Sequence, residues 1–339
     1  MKILVVDDEP ISLELLSSEL MHAGHDVIKC VNGMEAVEAL TKDNSVGIVV
    51  TDWEMPEMDG IALCKAIRNN KLRRYVYVIL LTSREGTSNI IQGLSAGADD
   101  FISKPFEPEE LLVRIRSGQR ILSLESRNVA IFAMAKLAES RDYEMGMHLE
   151  RVRHYSKMLT EYLAEQERYK NVIDGVFIDL MYLTCPLHDI GKIAIPDHVL
   201  LKPDRLDDRE FEIMKTHTIE GAKTLDSALQ HYPEAKFLLM ARDIALYHHE
   251  QYSGKGYPKG LSGTDIPLCA RIFSIADVYD ALTTKRVYKK ELSHEVAKGI
   301  IKKGEGGQFD PDMVTAFLTL EDKFEKIACE EQGESCSSW

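Results

Sequence analysis

The distribution of apolar and polar residues divides this chain into two regions. Within residues 1–120, short β-branched and apolar runs at 3–6, 46–50 and 76–81 alternate with amphipathic stretches such as 11–22. Continuous apolar runs of this length are typical of central strands that are covered on both faces. Alternation of such strands with helices predicts a doubly wound α/β domain with a parallel sheet.

Beyond residue 137 the pattern is helical throughout. Long amphipathic stretches occur without strand-like alternation, and Asp207 followed by Glu210 predicts a capping box at the start of a helix over 211–229. We therefore expect a second domain that is all-α.

A continuous helix is predicted from Glu107 to about Ser140, because no proline follows Pro108 in this segment. The apolar positions that fall roughly on a heptad seam are Leu111, Ile115, Leu122, Val129 and Phe132. One interpretation is the last helix of the first domain followed by the first helix of the second, each packed on its own core. The other is a helix that dimerises with a second copy and transmits a signal. Charged residues interrupt the seam, so the sequence does not decide between them.

Composition limits the classes of function. With 339 residues, the chain is long enough for about two domains. The formal net charge of -14 argues against sequence-independent binding to nucleic acid or to an anionic membrane, because both need a basic face. The six cysteines form no CxxC pair, and no secretory signal or membrane-spanning run is present, so we expect a cytoplasmic protein.

Acidic residues follow the predicted strands of the first domain. Asp7 and Asp8 come after the first run and Asp52 after the next, while Thr82 and Lys104 follow later ones. Helix capping would explain any one acid. Three acids that converge at one sheet edge repel each other unless a cation neutralises them, and Mg²⁺ prefers such oxygen ligands. The pattern favours a site that handles Mg²⁺ and an anion.

The motifs ILVVDDEP, VVTDWEMPEMDG, LLTS and SKPF, in this order and spacing, resemble the receiver domain of bacterial response regulators. The resemblance covers residues 1–120 and implies a flavodoxin-like fold with five parallel strands. It also implies that Asp52 accepts a phosphoryl group from a sensor histidine kinase. By position, the Mg²⁺ ligands would be Asp7, Asp8 and the Glu54 carbonyl, the phosphoryl-binding residues Thr82 and Lys104, and the aromatic switch Phe101.

Histidines and acids recur in the helical region with spacings suited to metal ligands. Glu144 and His148 are four residues apart, and His188 adjoins Asp189, with Lys192 about one helical turn on. The remaining candidates are His217, His248, His249 and Asp277. A lone histidine is more often a surface or core residue than a ligand. Five histidines and three acids are more than one zinc ion can use, and they favour two or three ions that share bridging ligands.

Residues 139–320 resemble the HD-GYP branch of the HD phosphohydrolase superfamily. The matching motifs are RDYEMGMHLERV, LHDIGKIAIPD, LLKPDRL, MKTHTIEGAKTL, HHEQYSGKGYPKGL, IPLCARIFSIADVYDALTTKRVYK and GGQFDP. This branch hydrolyses cyclic di-GMP to pGpG and in some members to GMP. The resemblance implies divalent transition metals, Fe or Mn first and Ni or Zn as alternatives.

The resemblance also assigns site residues by position. The metal positions would be Glu144, His148, His188, Asp189, His217, His248, His249 and Asp277, with Asp189 bridging and Glu144 serving a third ion. The catalytic group would be His188, Asp189 and Lys192, and the phosphate-binding cations Lys192, Arg286 and Lys289. The loop Gly256, Tyr257 and Pro258 would bind substrate and contact GGDEF-domain proteins. Met145 and Tyr143 stand where the branch usually has threonine and proline, which we expect to alter only the pocket wall.

The sequence therefore predicts a receiver domain over 1–120, a helical connector over 121–140, an HD-GYP domain over 141–325 and a disordered polar tail over 326–339. The predicted function is phosphorylation-regulated hydrolysis of cyclic di-GMP. Two alternatives are a cyclic di-GMP sensor or GGDEF-docking module, and an HD hydrolase of another nucleotide. The complete ligand set argues against the first, and the GYP loop with its nearby cations argues against the second.

Overall fold

The structure is a computed structural model that describes residues 1–69, 74–83, 86–141, 147–284 and 291–332. The chain divides into two compact units, Met1–Val129 and Ala130–Trp339, which we call the N-terminal and C-terminal units. Within the described ranges, no helix is both long enough and apolar enough to cross a membrane.

The N-terminal unit confirms the predicted doubly wound fold. Its described part contains a sheet of five parallel strands in the order β2-β1-β3-β4-β5. The strands are β1 (Lys2–Val6), β2 (Asp26–Cys30), β3 (Val46–Asp52), β4 (Tyr77–Thr82) and β5 (Asp100–Ser103). The helices are α1 (Pro10–His22), α2 (Gly33–Lys42), α3 (Gly60–Asn69), α4 (Thr87–Ser95) and α5 (Pro108–Glu139), the last of which continues beyond this unit.

The continuous apolar strands are explained by burial on both faces of the sheet. Successive residues of β1 point to opposite sides, so Ile3 and Val5 enter one core while Leu4 and Val6 enter the other. All four side chains are fully buried. Because all strands are parallel, the carboxyl ends of β1 and β3 lie at the same edge of the sheet.

The predicted long helix is present as α5, Pro108–Glu139. Near its start, Leu111 and Ile115 are buried in the core of the N-terminal unit. Near its end, Ala135 and Ala138 are buried within the C-terminal unit. Each end of α5 therefore packs on the core of its own unit.

The C-terminal unit is helical in its described part, as predicted. Its α-helices are α6 (His148–Ala164), α7 (Gly175–Thr184), α8 (Asp197–Leu200), α9 (Asp208–Leu229), α10 (Lys236–Tyr247), α11 (Leu268–Thr283), α12 (His294–Lys303) and α13 (Pro311–Gln332). Short 3₁₀ turns lie at Cys185–Leu187, Ile190–Ala194 and Gly263–Asp265. The capping box of Asp207 and Glu210 forms as expected, with hydrogen bonds in both directions.

The largest core of this unit surrounds α11 and includes residues of α6, α7, α10, α12 and α13. Phe273 and Tyr279 of α11 are fully buried there, and Tyr155 of α6 stacks on Phe324 of α13 with ring centroids 4.4 Å apart. Residues 326–332, which the sequence assigned to a disordered tail, lie in α13 instead. Helix α13 continues because Ile327 and Ala328 pack against this core, so the helical part does not end at 325.

Candidate functional site

Three acids meet at one edge of the sheet in the N-terminal unit. Ligand oxygens of Asp7, Asp8 and Asp52 lie within 4.8 Å of one another, a grouping that could hold a metal ion. Lys104, which follows β5, places its Nζ 2.6 Å from Asp52 Oδ1 and 3.2 Å from Asp7 Oδ2. Burial raises the pKa of Asp52, and Lys104 opposes that shift. The lysine therefore supplies the positive charge that keeps these carboxylates together.

Asp7 is the most buried of these acids. It is buried, and it accepts hydrogen bonds from the Glu9 backbone N–H at 2.9 Å and from Ser12 Oγ at 2.6 Å. Ser12 was not singled out in the sequence, which carries no local signal for it. The other predicted positions lie on the same sheet or next to it: Thr82 is buried at the end of β4, Phe101 is half-buried on β5, and Glu54 is exposed after β3.

In the C-terminal unit, one carboxylate faces two groups of histidines. Asp189 Oδ1 lies 3.2 Å from His217 Nε2 and 3.8 Å from His248 Nε2. Its other oxygen, Oδ2, lies 3.2 Å from His188 Nε2 and 2.9 Å from Lys192 Nζ. Asp189 thus presents one oxygen to each side, which is the arrangement that a ligand shared by two ions needs.

The side chains around Asp189 form two clusters. One consists of His217, His248 and His249, and the other of His148, His188 and Asp277. Within each cluster the ligand atoms lie within 4.8 Å of one another. Five different segments of the chain contribute them, so they come together only through the packing of α6, α9, α10 and α11 around the turns that flank Asp189.

Backbone hydrogen bonds orient the imidazole rings. A carbonyl oxygen accepts from Nδ1 of His188 (Cys185, 3.0 Å), of His217 (Met214, 2.7 Å) and of His248 (Ile244, 2.9 Å). In the neutral form of each ring this leaves the lone pair on Nε2, which faces Asp189. Nε2 of His217 and of His248 is buried without a hydrogen-bond partner. Buried polar atoms rarely stay unpaired, so these two orphaned nitrogens fit a divalent metal ion.

Electrostatics distinguish His188 from the three rings of the first cluster. Burial, reinforced by the neighbouring His188, lowers the pKa of His248 to about 4, and burial also lowers the pKa of His249 and His217. These rings are therefore neutral at pH 7, which is the form that binds metal. Burial also disfavours a charge on His188, but the carboxylate of Asp189 outweighs it and raises the pKa of His188.

An aspartate that the sequence analysis missed holds His148 in place. Asp280 Oδ2 lies 2.7 Å from His148 Nδ1, and Arg151 donates to both oxygens of the same carboxylate at 2.5 and 3.0 Å. Asp280 is 1% exposed. Its position three residues after Asp277, on the same face of α11, is the signal that could have found it. The side chain of Glu139 was also missed; it lines a small cavity together with His148, Asp189 and others.

The loop with the GYP tripeptide lies against the first cluster. The Tyr257 ring centroid is 4.7 Å from that of His249, and the Tyr257 backbone N–H donates to the His249 carbonyl at 3.3 Å. Gly256 and Pro258 flank this tyrosine. Predicted positions Glu144, Arg286 and Lys289 lie outside the described residues, as do Tyr143 and Met145.

Comparisons with known proteins agree with this architecture. Residues 3–116 match the response regulator receiver domain, and residues 133–313 match the HD domain. A probable cyclic di-GMP phosphodiesterase of Vibrio cholerae is 39% identical over 96% of this chain and 79% of its own length. A cyclic di-GMP phosphodiesterase of Thermotoga maritima is 33% identical over 99% of this chain and 95% of its own length.

A cyclic di-GMP phosphodiesterase response regulator of Xanthomonas campestris is 34% identical over 96% of this chain and 89% of its own length. The two matched domains occur in the order in which the two units occur here. The chain therefore belongs to the HD-domain family, among the response regulators that carry a receiver domain ahead of the HD domain.

Proposed function

We propose that this protein is a metal-dependent phosphodiesterase that hydrolyses cyclic di-GMP and is controlled by phosphorylation of its receiver domain. The observation that carries the proposal is Asp189, whose two oxygens face two separate clusters of ligand atoms. Relatives that share most of this chain are named cyclic di-GMP phosphodiesterases, which supports the same substrate. The expected product is pGpG, with GMP as the product of a second cleavage.

The metal-binding residues divide according to the clusters. One ion would be held by His217, His248 and His249, and a second by His148, His188 and Asp277, with Asp189 between the two clusters. Glu144, outside the described residues, is our candidate for a third ion. Divalent ions supply an activated water and offset negative charge in phosphodiester hydrolysis. A mixed set of imidazoles and carboxylates suits Fe or Mn, with Ni or Zn as alternatives.

The protein's own residues bind the substrate and compensate its charge. Lys192 lies beside Asp189 with its ammonium 2.9 Å from the carboxylate, so it can neutralise a phosphate oxygen held at the cluster. We assign Arg286 and Lys289 to the other phosphate contacts. Tyr257, with Gly256 and Pro258, forms the wall next to His249. In this proposal His188 and Asp189 would bind the metal ions that contact the reacting phosphodiester, and Lys192 would contact the phosphodiester itself.

In the receiver domain, a phosphodonor such as a sensor histidine kinase transfers a phosphoryl group to Asp52. Asp7, Asp8 and the Glu54 carbonyl are our Mg²⁺ ligands, which the grouping of the three acids supports. Lys104 already contacts Asp52, so it is placed to bind a phosphoryl oxygen there, together with Thr82. Phe101 is the proposed aromatic switch. A phosphoaspartate adds about two negative charges, enough to change the balance between two conformations.

We propose three domain-level segments and a cytoplasmic location for this protein. We assign residues 1–120 to the receiver, 121–140 to the connector and the residues from 141 to the HD-GYP domain. Four buried cysteines in the described part are unpaired, which supports a reducing compartment such as the cytoplasm. Further proposed partners are GGDEF-domain proteins at the Tyr257 loop and a second copy of this chain through α5.

The decisive experiment replaces both central residues, His188→Ala with Asp189→Ala. Purified protein is incubated with cyclic di-GMP and Mn²⁺ or Fe²⁺, and products are separated by chromatography. We expect no pGpG from the double variant and unchanged helicity by circular dichroism. The matched control is His198→Ala, an exposed histidine of α8, which should retain full activity. Hydrolysis by the double variant at the wild-type rate would contradict the proposal.

The same assay separates the alternative functions. Binding of cyclic di-GMP without hydrolysis, under any of the metals, would indicate a sensor or a docking module. Hydrolysis of guanosine tetraphosphate or of a nucleoside triphosphate in preference to cyclic di-GMP would indicate another nucleotide hydrolase. The two ligand clusters argue against a sensor, and relatives named cyclic di-GMP phosphodiesterases argue against another nucleotide, so we expect neither result.

A further inference from the structure

The loop that carries Tyr257 is attached to the candidate metal centre by a carboxylate that the proposed function leaves unused. Glu250 follows His249 directly and is 4% exposed. Its Oε1 accepts hydrogen bonds from the backbone N–H groups of Lys259 at 2.7 Å and Gly260 at 3.1 Å. Its Oε2 accepts from the N–H of Leu261 at 3.0 Å. One buried side chain thus binds three consecutive amides of the returning limb.

This arrangement determines the path of the loop. Burial of a carboxylate is unfavourable unless hydrogen bonds compensate it, and bonds from N–H groups to a charged acceptor are stronger than those to a neutral one. Backbone pairing between the two limbs of the loop is limited to an isolated bridge between Ser253 and Ser262 and to the Gly263 N–H, which donates to the Tyr252 carbonyl at 2.8 Å. Glu250 is therefore the side chain that holds residues 259–261 of the returning limb.

The other limb of the loop, which carries Gly256 and Tyr257, packs directly against His249. A Cβ atom at Gly256 would lie 2.3 Å from the Gln251 nitrogen and 2.5 Å from both Glu250 Cα and the His249 oxygen. Only glycine allows this approach. Next to it, the Tyr257 ring lies 4.7 Å from the His249 ring. Glu250 thus binds the returning limb of the loop, while the absence of a side chain at Gly256 allows the other limb to contact His249.

Glu250 has a different role from that of its neighbours His248 and His249. Both of its oxygens are occupied by loop amides. His248 has an anchor of its own, since its ring is held by carbonyl groups of α10 at 2.9 and 3.1 Å. Removing the charge of Glu250 should therefore release the loop and leave the metal ligands in place.

We propose that Glu250 is a positioning residue for nucleotide recognition, which holds Tyr257 over His249 and so fixes the pocket wall that meets the body of the substrate. This inference rests on the proposed hydrolysis of cyclic di-GMP. Loss of the Glu250 hydrogen bonds should affect large and small substrates differently. A substrate that needs the wall loses affinity when the loop is released, whereas a small phosphodiester that reaches only the metal centre does not.

The test compares Glu250→Gln with wild type on two substrates, cyclic di-GMP and bis(p-nitrophenyl) phosphate. For the variant we expect the KM for cyclic di-GMP to rise about tenfold or more, with kcat changed by less than about threefold. The kinetics with bis(p-nitrophenyl) phosphate and the metal content should match those of wild type. Glu234→Gln, the same chemical change at an exposed site, is the matched control and should leave all values unchanged.

Equal losses on both substrates, or loss of bound metal, would overturn the inference, since each would mean that Glu250 supports the metal centre. Unchanged kinetics on both substrates would also overturn it. If the variant does not fold, hydrogen exchange on the wild-type protein decides. The amides of Lys259, Gly260 and Leu261 should exchange slowly although the first two residues are exposed, and exchange at the free-peptide rate would refute the role of Glu250.

Hydrogen exchange also distinguishes this inference from the proposed function. A wild-type protein that does not cleave cyclic di-GMP with any metal would refute the proposed function. The protection of the three amides would still decide whether Glu250 positions the loop, because exchange is measured without substrate.

Discussion

Substitution of Gly191 by alanine tests whether the position of the Asp189 segment is set by its contact with α9. Gly191 lies in the Ile190–Ala194 turn, between Asp189 and Lys192. A Cβ atom there would lie 1.9 Å from the His217 carbonyl oxygen and 2.4 Å from the Gly221 nitrogen. Both are backbone atoms, so neither can rotate away. The turn must move if alanine is to fit.

The size of the movement follows from these distances. Ordinary contact begins at 3.4 Å, so the turn and α9 must separate by about 1.5 Å at this point. Asp189 Oδ1 lies 3.2 Å from His217 Nε2 across the same contact. Metal sites tolerate deviations of only about 0.2 Å in ligand distance, and a misplacement of about 1 Å at a reacting centre can reduce the rate about 10²-fold. We expect a loss of about 10²-fold in kcat and less than full metal content.

The assay measures metal by elemental analysis, cyclic di-GMP hydrolysis by chromatography and stability by thermal unfolding. Gly221→Ala approaches the same contact from α9, but its Cβ meets the Gly191 nitrogen at 3.2 Å and Ala245 Cβ at 3.5 Å, so a smaller loss is expected. Gly175→Ala meets nothing within 4 Å and should behave as wild type. If Gly191→Ala keeps its full metal content and activity within about twofold of wild type, the reasoning is refuted.

Four further predictions concern other parts of the molecule. Asp52→Asn should prevent phosphorylation by acetyl phosphate, which phosphate-affinity electrophoresis would detect; a labelled variant would exclude Asp52 as the acceptor. Asp280→Asn should weaken metal binding at His148 about 10- to 100-fold, measured by titration of metal-free protein, and unchanged affinity would contradict its supporting role. Dialysis against a chelator should abolish hydrolysis, and added Mn²⁺ should restore it. Burial raises the pKa of the Cys185 and Cys269 thiols from 9.0 to about 12, so these thiols stay protonated in the folded state. Because unfolding releases them to ionise, the free energy of unfolding should fall as the pH rises from 9 towards 12, and denaturant titrations at several pH values would reveal a flat profile if this is wrong.

The sequence was informative about everything that depends on local pattern. The apolar runs of the first region predicted strands because a strand buried on both faces has no polar positions, and β1 is fully buried from Ile3 to Val6. The capping box of Asp207 and Glu210 formed because its two hydrogen bonds join residues three apart. Both domains were identified from motifs whose residue types and order along the chain resemble those of known families.

Local pattern was less informative at segment ends. The polar composition after residue 325 predicted a tail without order, whereas Ile327 and Ala328 extend α13 by packing on a core formed elsewhere in the chain. Helix propensity alone does not decide such an end, because tertiary contacts supply most of the stability of a helix.

Only the tertiary structure decided which atoms of the candidate residues meet. The sequence named Asp189 and the histidines, but the direction of each Nε2 follows from carbonyl groups that fix Nδ1, and the two faces of Asp189 follow from the packing of its turn on α9. Asp280 and Glu250 were missed because their partners are set by the fold: a histidine from a distant helix and three backbone amides. A sequence specifies residue types and their spacing along the chain. The distances between side chains that are far apart in sequence arise only when the cores of the fold have packed.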